Sequence, residues 1–359
     1  MSQRVRFFLG ANTPQGFCSL FPQLMGEPKL ECSAIKAGPG CGKSTFLREV
    51  AEWEEPVRTE EMLCSSDPDS LDGVLLHSRS LAVVDGTAPH LCDPALPGVQ
   101  GDYIAAPAFL HPQELRQHRG ELEALKGQIS DCYTQAYRQL QAAGLVRQRM
   151  ESMLQPLLPQ AQLLRRAAGI AGRELPQTMA SGTPGVLRQR FLDGLTPRGP
   201  MFLRETVETL AQKIYLLEDR SGSSSVMLTF LRDRALDLGL EVYACPDIWD
   251  PRRVLHLLIP ALSLAFVTED GTRMPDCDAY RTVRVEAYLP PDALRKMRGK
   301  LRLLQKLQDS LIEDAVQQLQ EAHLLHRQME SVYRPHLDIA ALDAMGRTFA
   351  SARKHWFCT

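Results

Sequence analysis

The sequence lacks most of what would set it apart from an ordinary globular protein. No run approaches the roughly 18 apolar residues of a membrane span. The opening stretch MSQRVRFFLGANTPQGF holds too short an apolar run for a signal peptide. The nine cysteines are odd in number and form no CxxC pair. That argues against a disulfide framework or a zinc site, and for thiols in a reducing cytoplasm. Neither sign of charge is in excess. The net value of −2 gives no bulk electrostatic grip on nucleic acid or an anionic membrane. What remains is 359 residues, 44% hydrophobic and 23% charged. That is enough for about two domains, each with its own core.

The chain repeats itself. FFLGANTPQGF (7–17) resembles RFLDGLTPRGP (190–200), and SLAVVDGT (80–87) matches SLAFVTED (263–270), both at a shift of 183. STFLRE (44–49) lies over LTFLRD (228–233) at a shift of 184. RQRMESMLQPLL (147–158) lies over HRQMESVYRPHL (326–337) at a shift of 179. Steady shifts over several blocks indicate two tandem copies of one unit, residues 1–178 and 186–359. The small-residue, turn-rich stretch MASGTPG (179–185) joins them.

Each copy reads as α/β. In the first, VRFFLG, LECSAIK, MLCSS and LAVVD are short buried strands, with YIAAPAF a weaker one. Helical stretches lie between several of them, which predicts a mainly parallel sheet. From Pro112 to about Ala143, Leu115, Leu122, Leu125, Ile129, Ala136 and Leu140 recur at helical spacing. Gly144 interrupts this run, and a second helix follows to about Gly172, broken near Pro156 and Pro159. The second copy has the same arm from Asp292. The apolar stripes on the arms predict packing against a neighbouring helix, with docking of another protein as the alternative.

The stretch KAGPGCGKSTFL (36–47) carries the chemistry. Ala37, four free positions, then Gly42, Lys43 and Ser44 form a phosphate-binding loop between a strand and a helix. Gly38, Pro39, Gly40, Cys41 and Thr45 complete its lining. Glycines turn backbone N–H groups toward phosphate oxygens, and the helix adds its positive end. The expected ligand is ATP with Mg²⁺. Lys43 would reach the β- and γ-phosphates, and the Ser44 hydroxyl would hold the metal. Asp85 ends an apolar strand and is the second expected metal ligand. Gly86 follows where a catalytic glutamate often stands, so a base must come from elsewhere. CSSDPDSLDG (64–73) offers Asp67, Asp69 and Asp72. Asp67 is the first choice to orient water or a substrate hydroxyl, with helix capping as its structural alternative. His90 is a weaker candidate to sense the γ-phosphate.

The second copy has lost these groups. At a shift of 184, Gly42, Lys43 and Ser44 fall on Val226, Met227 and Leu228, and at 183 Asp85 falls on Thr268. A single nucleotide site is expected, with the second copy a scaffold. Arg220, Arg252 and Arg273 are the arginines by which that copy could reach the nucleotide.

Taken in order, NTPQGF, GPGCGKST, CSSDPDSLDG and VVDGTAPH resemble a family of bacterial two-repeat P-loop proteins described as ATPases. The resemblance implies ATP binding and two P-loop NTPase-like, mainly parallel sheets, each with a long helical hairpin. In that family the second repeat often keeps its own Gly-Lys-Ser/Thr, and this chain departs there. Three functions fit: an ATPase, then a phosphotransferase, then a nucleotide-binding scaffold.

Overall fold

A computed structural model describes residues 3–338 apart from 28, 54–57, 95, 106–109, 178–183 and 273–274, with scattered residues from 340 to 349. Most of the expected join at 179–185, and Arg273, lie outside the described residues. The chain is α/β with two six-stranded, mainly parallel mixed sheets.

It divides into two compact units. Unit 1 takes Met1–Gly10, Ser19–Ala136 and Val316–Thr359, and unit 2 takes Ala11–Cys18 and Tyr137–Ala315. Each unit therefore draws on both sequence copies.

The first copy contributes β1 (Gln3–Phe8), β2 (Gly10–Thr13), β3 (Gly16–Ser19), β4 (Glu31–Lys36), β5 (Arg58–Leu63), β6 (Leu71–Leu76), β7 (Leu81–Asp85) and β8 (Tyr103–Ala105). Its helices are α1 (Phe21–Met25), α2 (Lys43–Ala51), α3 (Pro112–Leu115), α4 (Arg119–Leu154) and α5 (Gln160–Glu174). The second copy contributes β9 (Leu187–Gln189), β10 (Asp193–Thr196), β11 (Gly199–Phe202), β12 (Lys213–Glu218), β13 (Val242–Pro246), β14 (Val254–Ile259), β15 (Leu264–Glu269) and β16 (Arg281–Arg284). Its helices are α6 (Arg204–Leu210), α7 (Ser224–Asp237) and α8 (Pro291–Tyr333).

The sheet of unit 1 runs β1-β5-β6-β7-β4-β8 and that of unit 2 runs β16-β12-β15-β14-β13-β9. Read from opposite ends, these are the same order. The pair senses match as well: the strands flanking β6 and β14 run antiparallel to them, and the remaining neighbours are parallel. Two copies of one fold account for this, as the sequence shifts predict. β7 is apolar up to Asp85 and buried throughout, and the four central residues of β4 are buried, as expected of strands covered on both faces.

β6 was not anticipated. Leu71, Val74, Leu75 and Leu76 bury it, but Asp72 and Gly73 disguise it as a turn. The other difference is at Gly144, where α4 continues without a break to Leu154. One interior glycine costs about 1 kcal/mol, too little to stop a helix of this length. Its missing Cβ matters for packing, since a Cβ there would meet Pro14 Cγ at 3.0 Å. The break comes at residues 155–159, where Pro156 and Pro159 remove backbone donors.

In unit 1 the stripe Leu122, Leu125, Ile129, Cys132 and Tyr133 of α4 packs against Ala322, Leu325, Met329 and Tyr333 of α8. In unit 2 Leu163, Ala167 and Ile170 of α5 join one core with Leu228 and Leu231 of α7. No helix among the described residues is long and apolar enough to cross a membrane.

Candidate functional site

The loop from Ala37 to Gly42 leaves the end of β4 and enters α2 at Lys43. Two glycines make that path possible. Gly40 has φ +68° and Gly42 φ +70°, the left-handed region where a side chain costs about 1–2 kcal/mol. Gly40 is doubly required, because a Cβ there would stand 3.0 Å from the Glu330 carbonyl oxygen of α8. The first turn of α2 carries backbone N–H groups without helical partners, and these give the loop its positive character.

Lys43 and Asp85 come into direct contact. Lys43 Nζ lies 3.2 Å from Asp85 Oδ2. It donates to Thr87 Oγ1 at 3.1 Å, and to the Gly38 and Ala37 carbonyls at 3.4 and 3.5 Å. Asp85 is placed by register: it pairs with Ile35, so β7 ends beside the loop that leaves β4. Asp85 Oδ1 accepts the Thr87 backbone N–H at 2.9 Å and the Thr87 hydroxyl. Ser44 Oγ accepts the Leu71 N–H at 3.0 Å, which ties the first turn of α2 to β6.

Cys41 is buried, and burial pushes its thiol pKa up despite the nearby Lys43 charge. Gly86 is closely packed: a Cβ there would stand 3.0 Å from the Cys92 carbonyl oxygen and 3.1 Å from Lys36 Nζ, so a larger residue would need its neighbours to give.

The structure separates the acidic candidates. Asp67 closes its own turn. Its Oδ1 accepts the Asp69 N–H at 3.3 Å and its Oδ2 accepts the Ser70 hydroxyl at 2.7 Å. Asp72 lies buried in β6 and faces His90, with Nε2 3.1 Å from Oδ2. Burial disfavours the charged His90 ring, but Asp72 and Asp85 outweigh it and raise the pKa.

A cavity of about 490 Å³ adjoins the loop at Gly40, Gly42 and Thr45. Its opposite wall comes from the end of α8 and the turn after it: Arg327, Glu330 and Arg334. Sequence reasoning did not single these out. The Glu330 carboxyl is held below its ordinary range by His326 first, with Lys43 and Arg327 adding to the effect.

Unit 2 shows what fills the corresponding loop. Gly222 there has φ +69° and takes the place of Gly40. A Cβ on it would stand 3.0 Å from Glu151 Oε1 of α4, as one on Gly40 would meet Glu330. This alignment puts a serine, not Met227, under Lys43, and Met227 is fully buried in the unit 2 core. Here the backbone donors at the start of α7 are met by a carboxylate of the chain itself. Asp219 Oδ2 accepts the Ser224 N–H at the start of α7 at 2.6 Å, and Oδ1 accepts the Ser221 N–H at 2.8 Å. Around it, Arg147 pairs with Glu151 at 3.1 Å and Asp270 at 2.8 Å, and Arg253 with Glu151 at 2.7 Å. Thr268 stands opposite Leu217, the place of Asp85 in the register. Of the arginines suggested by position, Arg252 is held by Asp250 at 2.8 Å, and Arg220 lies 3.9 Å from Glu286.

No family model, no curated protein and no solved structure matches the chain.

Proposed function

We propose that residues 37–45 bind ATP with Mg²⁺ and that the chain is a single-site ATPase of the two-repeat P-loop kind. One observation carries this: a loop with two left-handed glycines delivers Lys43, at the first turn of a helix, onto a strand-end aspartate. A loop of that shape is suited to phosphate, because its backbone donors and the helix terminus converge on one anion. Lys43 would exchange Asp85 for the β- and γ-phosphates. Ser44 and Asp85 would hold Mg²⁺, which supplies neutralisation of phosphate charge when bound. The cavity beside Thr45 has room for the nucleoside, and Arg327 and Arg334 supply positive charge on its far wall. Because these arginines belong to α8 and the turn after it, hydrolysis has a mechanical route into the arm, whose outer face could carry another protein.

A phosphotransferase is the second reading, favoured by the same arginine-lined cavity, which could instead admit an acceptor. Phosphate release separates the two. An ATPase releases phosphate without an added acceptor, and Lys43→Ala abolishes the release. A transferase turns over only when an acceptor is supplied. Asp67→Asn should leave turnover unchanged, since both Asp67 oxygens serve its own turn. Lost turnover in a folded Asp67→Asn would show that this carboxylate takes part in the reaction.

A further inference from the structure

Beside the phosphate loop, three side chains from different elements of unit 1 meet, Asp72 and His90 buried and Cys64 partly exposed. Cys64 follows β5, Asp72 lies in β6, and His90 lies in the loop after β7. Their sulfur, carboxylate oxygen and ring nitrogen all fall within 4.8 Å of one another. The backbone brings them there. A bulge between Met62 and Leu63 shifts the β5–β6 register, and the Cys64 N–H donates to the Ser70 carbonyl at 3.0 Å. That closes the 64–70 turn and sets Cys64 beside Asp72. The His90 N–H donates to the Thr87 carbonyl at 2.8 Å, and its ring lies 4.8 Å from that of Phe21.

Asp72 is 5% exposed, and its Oδ2 accepts no aligned hydrogen bond even with His90 Nε2 at ion-pair distance. A buried carboxylate oxygen whose one close donor is poorly aligned is only partly compensated, and a divalent cation would complete the compensation.

We propose that Cys64, Asp72 and His90 bind one divalent cation of the zinc class. One thiolate, one imidazole and one carboxylate are the donors zinc takes, and softer or harder ions match the mixture less well. Bonds of about 2.0–2.3 Å at tetrahedral angles place ligand atoms about 3.3–3.8 Å apart. The widest separation must therefore close by about an ångström, within reach of side-chain rotation. Binding releases the Cys64 thiol proton to solvent and changes no oxidation state. Three protein ligands leave one coordination position open. The ligands do not follow the close CxxC pairing by which zinc sites are read from sequence, because they are gathered by the sheet.

The cation would act as a brace on the phosphate loop. Leu71, next to Asp72, donates to Ser44 Oγ, and Thr87, three residues before His90, contacts both Lys43 and Asp85. One ion would thus fix the two segments that flank Lys43. The inference does not depend on nucleotide binding.

Cobalt titration of the chelator-treated full chain tests it. Co²⁺ should bind at one equivalent per chain, with a sulfur-to-cobalt charge-transfer band that Zn²⁺ displaces. Cys64→Ser should lose the band, and His90→Gln should weaken binding at least tenfold. Lys43→Ala should keep the band, which separates this site from the nucleotide site. The proposal is overturned if the folded wild type shows no such band, or if the band persists in Cys64→Ser. The wild-type titration decides even if either variant fails to fold.

Discussion

The contact between Lys43 and Asp85 makes a prediction about stability that is separate from any ligand. The Lys43 side chain is 20% exposed and that of Asp85 only 9%. Removing one partner from a buried pair costs about 3–5 kcal/mol, because the other charge is left without compensation. Two features reduce that here. Asp85 keeps two donors from Thr87, and water reaches the Lys43 side. Lys43→Ala should therefore lose about 2–3 kcal/mol of unfolding free energy. Asp85→Asn removes the charge that Lys43 leaves stranded, so the double variant should be more stable than the sum of the single losses. A coupling of at least about 1.5 kcal/mol is expected. Urea denaturation followed by circular dichroism, on all four proteins without nucleotide, measures it. If Lys43→Ala is as stable as the wild type, or the two losses simply add, then Lys43 does not compensate Asp85 and the site geometry is wrong.

Arg327→Ala and Arg334→Ala should each weaken Mg·ATP binding by about tenfold, the cost of losing one charged contact to an anion. Calorimetric affinities equal to wild type would remove both from the site. In unit 2, burial pushes the Asp247 carboxyl up to about 6, against the attraction of Arg147 and with the repulsion of Asp270. The folded chain then keeps a proton that the unfolded chain has already lost. This favours folding below about pH 4 and is lost as pH rises through about 6, a span of roughly 2–3 kcal/mol. Between those pH values the wild type should lose stability relative to Asp247→Asn, as read by urea denaturation. Parallel pH profiles for the two proteins would refute it.

The sequence exposed much of this, and unevenly. The strand-loop-helix from Glu31 to Ala51 was legible because glycine placement and apolar runs are local signals. The twofold repeat was legible because register shifts persist over long stretches. β6 escaped because two of its residues, Asp72 and Gly73, look like a turn while burial decides otherwise. Arg327, Glu330 and Arg334 escaped for a different reason. Nothing local in α8 says that its last turns return to the first sheet's loop. The closest hint was the match of 326–337 to 147–158, which set Glu330 and Glu151 against corresponding glycines. The sequence alignment set Met227 under Lys43, whereas the structure sets a serine there. What occupies the second loop, Asp219 with the Arg147 network, required the fold.

If residues 37–45 form the one nucleotide site of the chain, isothermal titration of the full chain with Mg·ATP gives its stoichiometry. One equivalent should bind, and Lys43→Ala, shown to be folded by circular dichroism, should bind none. Two equivalents, or undiminished binding by the folded Lys43→Ala protein, would contradict that assignment.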